Sequence, residues 1–275
     1  MRRILIAIDG TPNSTVTLEL GGQIARLTGG EVTVLASAFL RLSARRAEEA
    51  LEAAERYLRE QGVEVKAVLG KGNPARAILH EAKSSAYGLI VLGFRRAEGE
   101  QELRLPGSTV DRVLAHIPCP VLIAKKVKGD LRRILVCDSG VNEPALFERF
   151  TNRLWRLVGP DAQVTVLHVM SQMSAGPGVS GWPLRAEANE LIEAHTPEGE
   201  ILEHDIEELE EHNVHPRVIV RHGWVVDEIV AEAKQGDYGL VVIGAHRTEG
   251  WRRFLLDDLA SQIIVYCDRP VIVVK

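Results

Sequence analysis

Short runs of valine, isoleucine and leucine alternate along this chain with longer segments whose apolar residues recur at helical spacing. The alternation is typical of βαβ units, in which helices cover both faces of a parallel sheet. In the first half it predicts five strands, over 3–9, 31–38, 63–69, 88–93 and 120–125. Helices are predicted between them over 14–28, 44–61, 74–84 and 109–116. The predicted fold class is α/β, with a doubly wound, five-stranded parallel sheet.

Several helix ends are marked by their residues. Asn73 followed by Pro74 predicts an N-cap and a first helical residue, and Gly62 predicts the end of the second helix. Ser108 with Asp111 resembles a capping box before the fourth helix.

The same pattern occurs twice. Arg2-Arg-Ile-Leu-Ile recurs as Arg132-Arg-Ile-Leu-Val, and residues 72–99 match 223–250 without a gap. The polar stretch 126–130 separates the copies. A repeat of this length predicts two tandem domains of one fold, over 1–128 and 131–275.

Composition narrows the function classes. The 275 residues are 45% hydrophobic and 26% charged with a net charge of -5, which is ordinary for a globular protein and unsuited to binding a phosphate backbone. No apolar run resembles a secretory signal or a membrane span. Cys119, Cys137 and Cys267 form no paired motif and are predicted to be reduced core thiols. We expect a cytoplasmic protein with no nucleic-acid or membrane partner.

A doubly wound sheet binds ligands at the carboxyl ends of its strands, where the strand order reverses. Asp9-Gly10 follows the first strand, Gly93 ends the fourth, and Gly107-Ser108-Thr109 opens the last helix. A helix N-terminus with small residues can hold a phosphate through its amides, and Asp9 can accept hydrogen bonds from a ribose or a base. These residues predict a ligand site in the first copy.

Four segments together resemble the universal stress protein family: Ile4-Leu-Ile-Ala-Ile-Asp-Gly, Gly72-Asn-Pro, Tyr87-Gly-Leu-Ile-Val-Leu-Gly, and Gly107-Ser-Thr-Val with the Val113-Leu-Ala-His-Ile-Pro-Cys-Pro-Val-Leu that follows. The resemblance covers almost the whole chain and implies the adenine nucleotide alpha hydrolase-like fold. In the family's nucleotide-binding subset, Gly-x2-Gly-x9-Gly-Ser/Thr holds phosphates, while an Asp after strand one and a small residue after strand two line the adenosine. The resemblance therefore implies ATP or another adenine nucleotide, with Mg, at Asp9, Gly10, Ser37, Gly93, Arg96, Gly107, Ser108 and Thr109.

The first copy departs from the family motif in its phosphate loop. Arg96 stands at the second glycine, and Gly107 lies fourteen residues after Gly93 where the motif has thirteen. A side chain there can obstruct a phosphate, whereas a guanidinium can also bind one. The sequence leaves open whether Arg96 obstructs a phosphate or binds it.

The second copy departs further. Arg247 again replaces a glycine, and Asp257-Asp258 replaces Gly-Ser at the predicted helix start, where carboxylates would occupy the amides and repel polyphosphate. Asp138 comes one residue earlier than Asp9 in the repeat, which turns its side chain to the other face of the strand unless a bulge intervenes. This half is expected to have lost nucleotide binding or to hold another ligand.

Other groups receive plainer interpretations. His204, His212 and His215 have no metal-ligand spacing and are expected to be exposed on an acidic helix, part of a solvated acidic run over 187–211. His168 is expected to pack at the edge of the core. The stretch 171–183, with Trp182, is either a cover over the crevice or a surface insertion.

The resemblance implies a non-catalytic regulatory module of the stress response. The alternatives are a nucleotide-free scaffold for protein interaction and, ranked last, a weak ATP-hydrolysing enzyme, since no nucleophile and base set is visible. Because the family pairs its domains through their last strands, the resemblance also implies an internal pseudo-dimer through Val121-Leu-Ile-Ala and Val271-Ile-Val-Val. A second chain can associate as a homodimer.

Overall fold

The computed structural model describes residues 3–11, 13–39, 43–94, 109–116, 118–138, 161–170, 186–244 and 253–274. The chain divides into two compact units, residues 1–126 and 127–275.

The first unit is one parallel sheet with its connecting helices. Its elements are β1 Arg3–Ile8, α1 Asn13–Thr28, β2 Glu31–Ala38, α2 Ala44–Glu60, β3 Val65–Lys71, α3 Pro74–Ser84, β4 Leu89–Gly93, α4 Thr109–His116 and β5 Val121–Ala124. The strands pair in the order β3-β2-β1-β4-β5, all parallel. The strand order reverses between β1 and β4, as the predicted doubly wound sheet requires.

The second unit repeats this order. Its elements are β6 Asp130–Asp138, β7 Gln163–Met170, α5 Ala188–Glu193, α6 Pro197–Glu210, β8 Arg217–His222, α7 Val225–Gln235, β9 Tyr238–Gly244, α8 Arg253–Tyr266 and β10 Val271–Val274. Its strands pair as β8-β7-β6-β9-β10, again all parallel. The predicted α/β class and the five-stranded parallel sheets are confirmed.

Local chemistry sets most of the predicted boundaries. The Asn73 side chain accepts a hydrogen bond from the Arg76 N–H at 3.3 Å, and Pro74 opens α3. Gly62 has a φ of 73°, the left-handed conformation that ends α2. The predicted pairing of Ser108 with Asp111 lies outside the described residues.

The third strand and the last helix differ most from the prediction, while the other predicted boundaries of the first copy agree within one residue. The third strand begins at Val65 rather than at residue 63, because the Val63 N–H bonds to the Leu58 carbonyl and its side chain is buried under the end of α2. In the second unit α8 begins at Arg253, so Asp257 and Asp258 lie in its second turn and not at its N-terminus. The second copy has no glycine at the position of Gly107, so no glycine interrupts the helix there.

Part of the acidic run that was predicted to be a solvated face is buried in helix α6. Leu202 and Leu209 are fully buried, whereas Ile206 is only partly buried. Asp205 is just 4% exposed, so one carboxylate of the acidic run belongs to the interior. Asn213 follows the helix with a φ of 58°, and the next N–H bonds back to the Leu209 carbonyl.

The predicted core residues lie inside. Cys119, Cys137 and Cys267 are free thiols and buried, and His168 is 3% exposed within β7. The core of each unit consists of the apolar runs of its strands and the facing helix stripes. Among the described helices none is long and apolar enough to cross a membrane.

Candidate functional site

A cavity of about 670 Å³ opens at the carboxyl ends of β1 and β2, beside the first turns of α2 and α3. We call it the crevice. Asp9, Gly10 and Ser37, three of the residues predicted from the sequence, line it together. The lining is mixed, with apolar side chains such as Leu35, Phe39 and Ile78 beside polar and charged groups. The structure thus gathers the β1 and β2 parts of the predicted site in one place.

Asp9 holds the turn between β1 and α1. Its Oδ1 accepts hydrogen bonds from the Thr11 N–H at 3.1 Å, the Thr11 hydroxyl at 2.6 Å and the Ser14 hydroxyl at 2.9 Å. The Asp9 N–H donates to Ser14 Oγ at 3.2 Å, and Gly10 has a φ of 68° that suits glycine. Asp9 is therefore a structural anchor of this loop as well as a wall of the crevice.

Thr11 and Ser14 were missed by the sequence reasoning. The signal was present, because an aspartate followed by threonine two residues later is a common Asx-turn pattern at a helix entry.

Ser37 joins two crevice walls. It is 5% exposed, and its hydroxyl donates to the Gly72 carbonyl oxygen at 2.6 Å. Gly72 turns the chain from β3 into α3 with a φ of 73°. The hydrogen bond therefore fixes the β3–α3 turn against the end of β2.

The remaining predicted residues lie elsewhere or are not described. Gly93 ends β4 and Thr109 opens α4, and among the described residues neither lines the crevice. Arg96, Gly107 and Ser108 lie outside the described residues, as do Trp182 and the stretch around it. The crevice thus gathers the β1 and β2 residues of the predicted site, and of its phosphate side only Gly93 and Thr109 are described.

Helix α2 adds charges that the sequence reasoning did not select. Arg46 and Glu49 line the crevice, and Glu49 pairs with Arg45 at 2.9 Å. Within the described part of the chain Arg46 makes no ion pair, so its guanidinium is available to an anionic group in the crevice. Phe39, 38% exposed, offers an aromatic face at the same opening.

Metal-ligating residue types do not cluster in the described part of the chain. No group of three or more histidine, cysteine or acidic residues that could hold a metal ion occurs in the described ranges. Of the three histidines predicted to be exposed, His212 and His215 are exposed, whereas His204 is half-buried. The His215 Nδ1 lies 3.2 Å from Glu210 Oε1.

The second unit differs at the matching positions. Asp138 pairs in register with His168, and the matching pair in the first unit is Ile8 with Ala36. Asp138 therefore occupies the position of Ile8, as the one-residue offset in the sequence predicted. Trp224, 68% exposed, stands where Asn73 caps α3 and makes no side-chain cap.

A side-chain network fills the second unit's β8–α7 contact. Arg221 stands at the position of Gly70, two residues before the turn glycine. Its guanidinium donates to Glu232 Oε2, with Nε at 2.8 Å, and reaches Glu228 at 3.5 Å. Burial opposes the charge, but the bonds to the two carboxylates outweigh it and raise the pKa of Arg221. In the first unit Gly70 has no side chain, and a Cβ there would lie 2.9 Å from the Ala77 methyl group.

Solved structures share this architecture over the whole chain. A universal stress protein from Archaeoglobus fulgidus DSM 4304 aligns with a TM-score of 0.69 at 19% identity, covering 99% of this chain and 98% of that one. A functionally unknown protein from Pseudomonas aeruginosa PAO1 aligns with a TM-score of 0.72 at 19% identity, covering 100% of this chain and 92% of that one. At this identity the likeness shows a common fold.

Sequence comparison identifies the family. The chain is 39% identical over 75 residues to universal stress protein YxiE of Bacillus subtilis (27% of this chain, 50% of that protein). It is 34% identical over 83 residues to universal stress protein MJ0531 of Methanocaldococcus jannaschii (30% and 48%). The matched part spans about half the length of these curated relatives. A profile of the universal stress protein family matches residues 1–125 and again 131–275, so the chain belongs to the universal stress protein family, with two copies of its domain in tandem.

Proposed function

We propose that this chain is a non-catalytic regulatory module of the stress response whose first unit binds ATP or another adenine nucleotide. The observation that carries the proposal is the crevice, which brings Asp9, Gly10 and Ser37 together at the carboxyl ends of β1 and β2. Its volume of about 670 Å³ lies within the range of ordinary ligand sites.

The crevice chemistry suits a nucleotide. Its apolar walls and the exposed ring of Phe39 can stack on a base, while the Arg46 guanidinium can pair with a phosphate. The phosphate side would be completed by Arg96, Gly107, Ser108 and Thr109, with Mg bound by the nucleotide itself. Asp9 would contribute to nucleotide binding by holding the loop and by offering its carboxylate oxygens as hydrogen-bond acceptors.

The second unit is proposed to bind no nucleotide at the matching place. Arg221 and Trp224 occupy positions that are Gly70 and Asn73 in the first unit. Its last helix also starts a turn before Asp257, so the amides that a phosphate would need lie elsewhere.

Calorimetric titration with MgATP tests the proposal. Arg46→Ala is expected to weaken binding, and Gly107→Asp or Ser108→Asp to abolish it. Arg56→Ala is the matched control, because Arg56 is an exposed arginine on the same helix and does not line the crevice. Absence of heat and of a melting-temperature shift at millimolar MgATP would overturn the proposal.

A nucleotide-free scaffold is the second candidate. It is favoured by Asp9, whose Oδ1 already accepts three hydrogen bonds from its own loop, and by the exposed Trp224, a residue type that often anchors protein contacts. This alternative predicts that the chain binds a partner protein and does not respond to ATP. Weak ATP hydrolysis ranks third, and would appear as phosphate release that scales with protein and is lost in Asp9→Asn.

The proposed compartment is the cytoplasm, where the three buried free thiols would stay reduced. The pairing of the last strands into a pseudo-dimer remains a prediction of the family resemblance.

A further inference from the structure

A second, smaller cavity lies between α1 and α2 in the first unit, with a volume of about 280 Å³. We call it the α1–α2 pocket. Its walls are mainly the aliphatic and aromatic side chains of Ile8, Leu18, Ala53, Ala54 and Tyr57. The polar groups on it are hydroxyls, and no acidic or basic side chain among the described residues lines it.

The pocket follows from the sequence of α2. Ala50, Ala53, Ala54 and Tyr57 lie on one face, since residues three and four apart are neighbours on a helix. Their methyl groups are too short to fill the space towards Leu18 of α1, and Tyr57 closes the far end. The larger Leu51 and Leu58 of the same helix point into the core instead, where they are at most 5% exposed.

The α1–α2 pocket adjoins the crevice. Ile8, Gly10, Thr11 and Ala50 line both cavities. Gly10 has no side chain and Ala50 only a methyl group, so two of the four shared residues add little bulk between the cavities. A ligand held in the crevice therefore lies next to the pocket and can place a substituent in it.

The two cavities differ in charge, and this difference selects the ligand. Asp9, Arg46 and Glu49 lie at the crevice, whereas the pocket offers only apolar groups and hydroxyls. An ionised group would lose its hydration in the pocket without gaining a partner. A neutral apolar group gains by leaving water against this half-open apolar wall, and a volume of about 280 Å³ has room for an aromatic ring.

We propose that the first unit recognises an adenine nucleotide that carries a neutral aromatic or acyl group, with the nucleotide in the crevice and the apolar group in the α1–α2 pocket. The inference rests on the proposed nucleotide function and adds a substrate class to it.

The test compares ATP with ATP that carries an N-methylanthraniloyl ester on its ribose, by titration of the full chain. The ester is expected to bind about tenfold more tightly, which corresponds to about 1.4 kcal/mol, and to show the blue-shifted fluorescence of an apolar environment. Ala53→Leu, which fills the pocket from an exposed position, should remove the gain and leave the affinity for ATP unchanged. Ala44→Leu is the control, an exposed alanine of the same helix that lines neither cavity.

The outcomes separate the two proposals. If ATP and its ester bind with equal affinity, or if Ala53→Leu weakens the binding of both nucleotides equally, only the apolar subsite is overturned. Failure of both nucleotides to bind overturns the proposed function and the subsite with it.

Discussion

The Tyr238 hydroxyl donates a hydrogen bond of 2.8 Å to Glu232 Oε1, and Tyr87 repeats the contact to Glu81 at 2.7 Å. Each pair joins the helix before the fourth strand of its unit to the chain entering that strand. The repeated Glu-Ala-Lys and Tyr-Gly-Leu of the two copies thus have a common physical meaning. The second pair lies deeper, because Glu232 is 6% exposed and also binds Arg221.

Removing the tyrosine hydroxyl should cost more stability in the second unit than in the first. Tyr238→Phe leaves a buried carboxylate without one of its donors, for which we expect a loss of roughly 1–3 kcal/mol. Tyr87→Phe should cost about 1 kcal/mol or less, since water can reach the partly exposed Glu81. Urea unfolding of both variants, followed by circular dichroism, measures the difference. Equal losses would contradict the role assigned to burial.

Tyr87 also predicts a dependence on alkaline pH. Burial, and then the hydrogen bond to Glu81, raise the pKa of Tyr87 to about 12 from an ordinary 10.0. The unfolded chain therefore loses this proton first, so the stabilising contribution of Tyr87 is complete below pH 10 and declines as the pH rises towards 12. Burial also raises the pKa of Tyr238, so absorbance at 295 nm should show two late ionisations, of which Tyr87→Phe removes one.

Glu81→Gln is the companion variant for this titration. It takes away the charged acceptor and should bring the pKa of Tyr87 back towards 10. A titration curve of Glu81→Gln identical to that of the wild type would mean that the carboxylate does not influence the phenol.

Asp268 predicts the opposite dependence, at acid pH. Burial alone would raise its pKa, but the hydrogen bond from Lys128 Nζ at 2.6 Å and the charge of Arg269 outweigh burial and lower it. A lowered carboxyl pKa contributes stability above the unfolded value of 3.8, and the contribution is lost as the pH falls through the folded value. The stability difference between wild type and Asp268→Asn should be constant from about pH 7 to 5 and shrink below about pH 4. A difference that persists at pH 2 would exclude this ionisation as its source.

The sequence predicted most of the fold because its signals are local. Apolar runs located the strands, and the Asn73-Pro74 pair located the start of α3 to the residue. Val63 was misassigned because an apolar residue after a glycine looks the same whether it opens a strand or closes a helix. Asp257 was misplaced because the repeat implied a helix start that the absence of glycine removes.

The candidate site was predictable only in part, since a crevice joins segments far apart in sequence. Asp9 follows β1 and Ser37 lies near the end of β2, so topology alone could place both at one sheet edge. Arg46 and Phe39 meet them through the angle at which α2 leaves β2, which no local pattern encodes. The α1–α2 pocket likewise depends on the distance between two helices and not on any motif.

Gly93 is predicted to be required for packing rather than for turning the chain. It ends β4, and a Cβ added there would lie 2.8 Å from the hydroxyl oxygen of Thr17, which is 1% exposed on α1. Gly93→Ala must therefore displace α1 or Thr17, and we expect a loss of roughly 1–3 kcal/mol. In a Thr17→Ala background the clashing oxygen is absent, so the same substitution should cost clearly less. Unfolding of the four proteins of this double-mutant cycle measures the coupling. Additive losses would show that the cost of Gly93→Ala does not arise from its contact with Thr17.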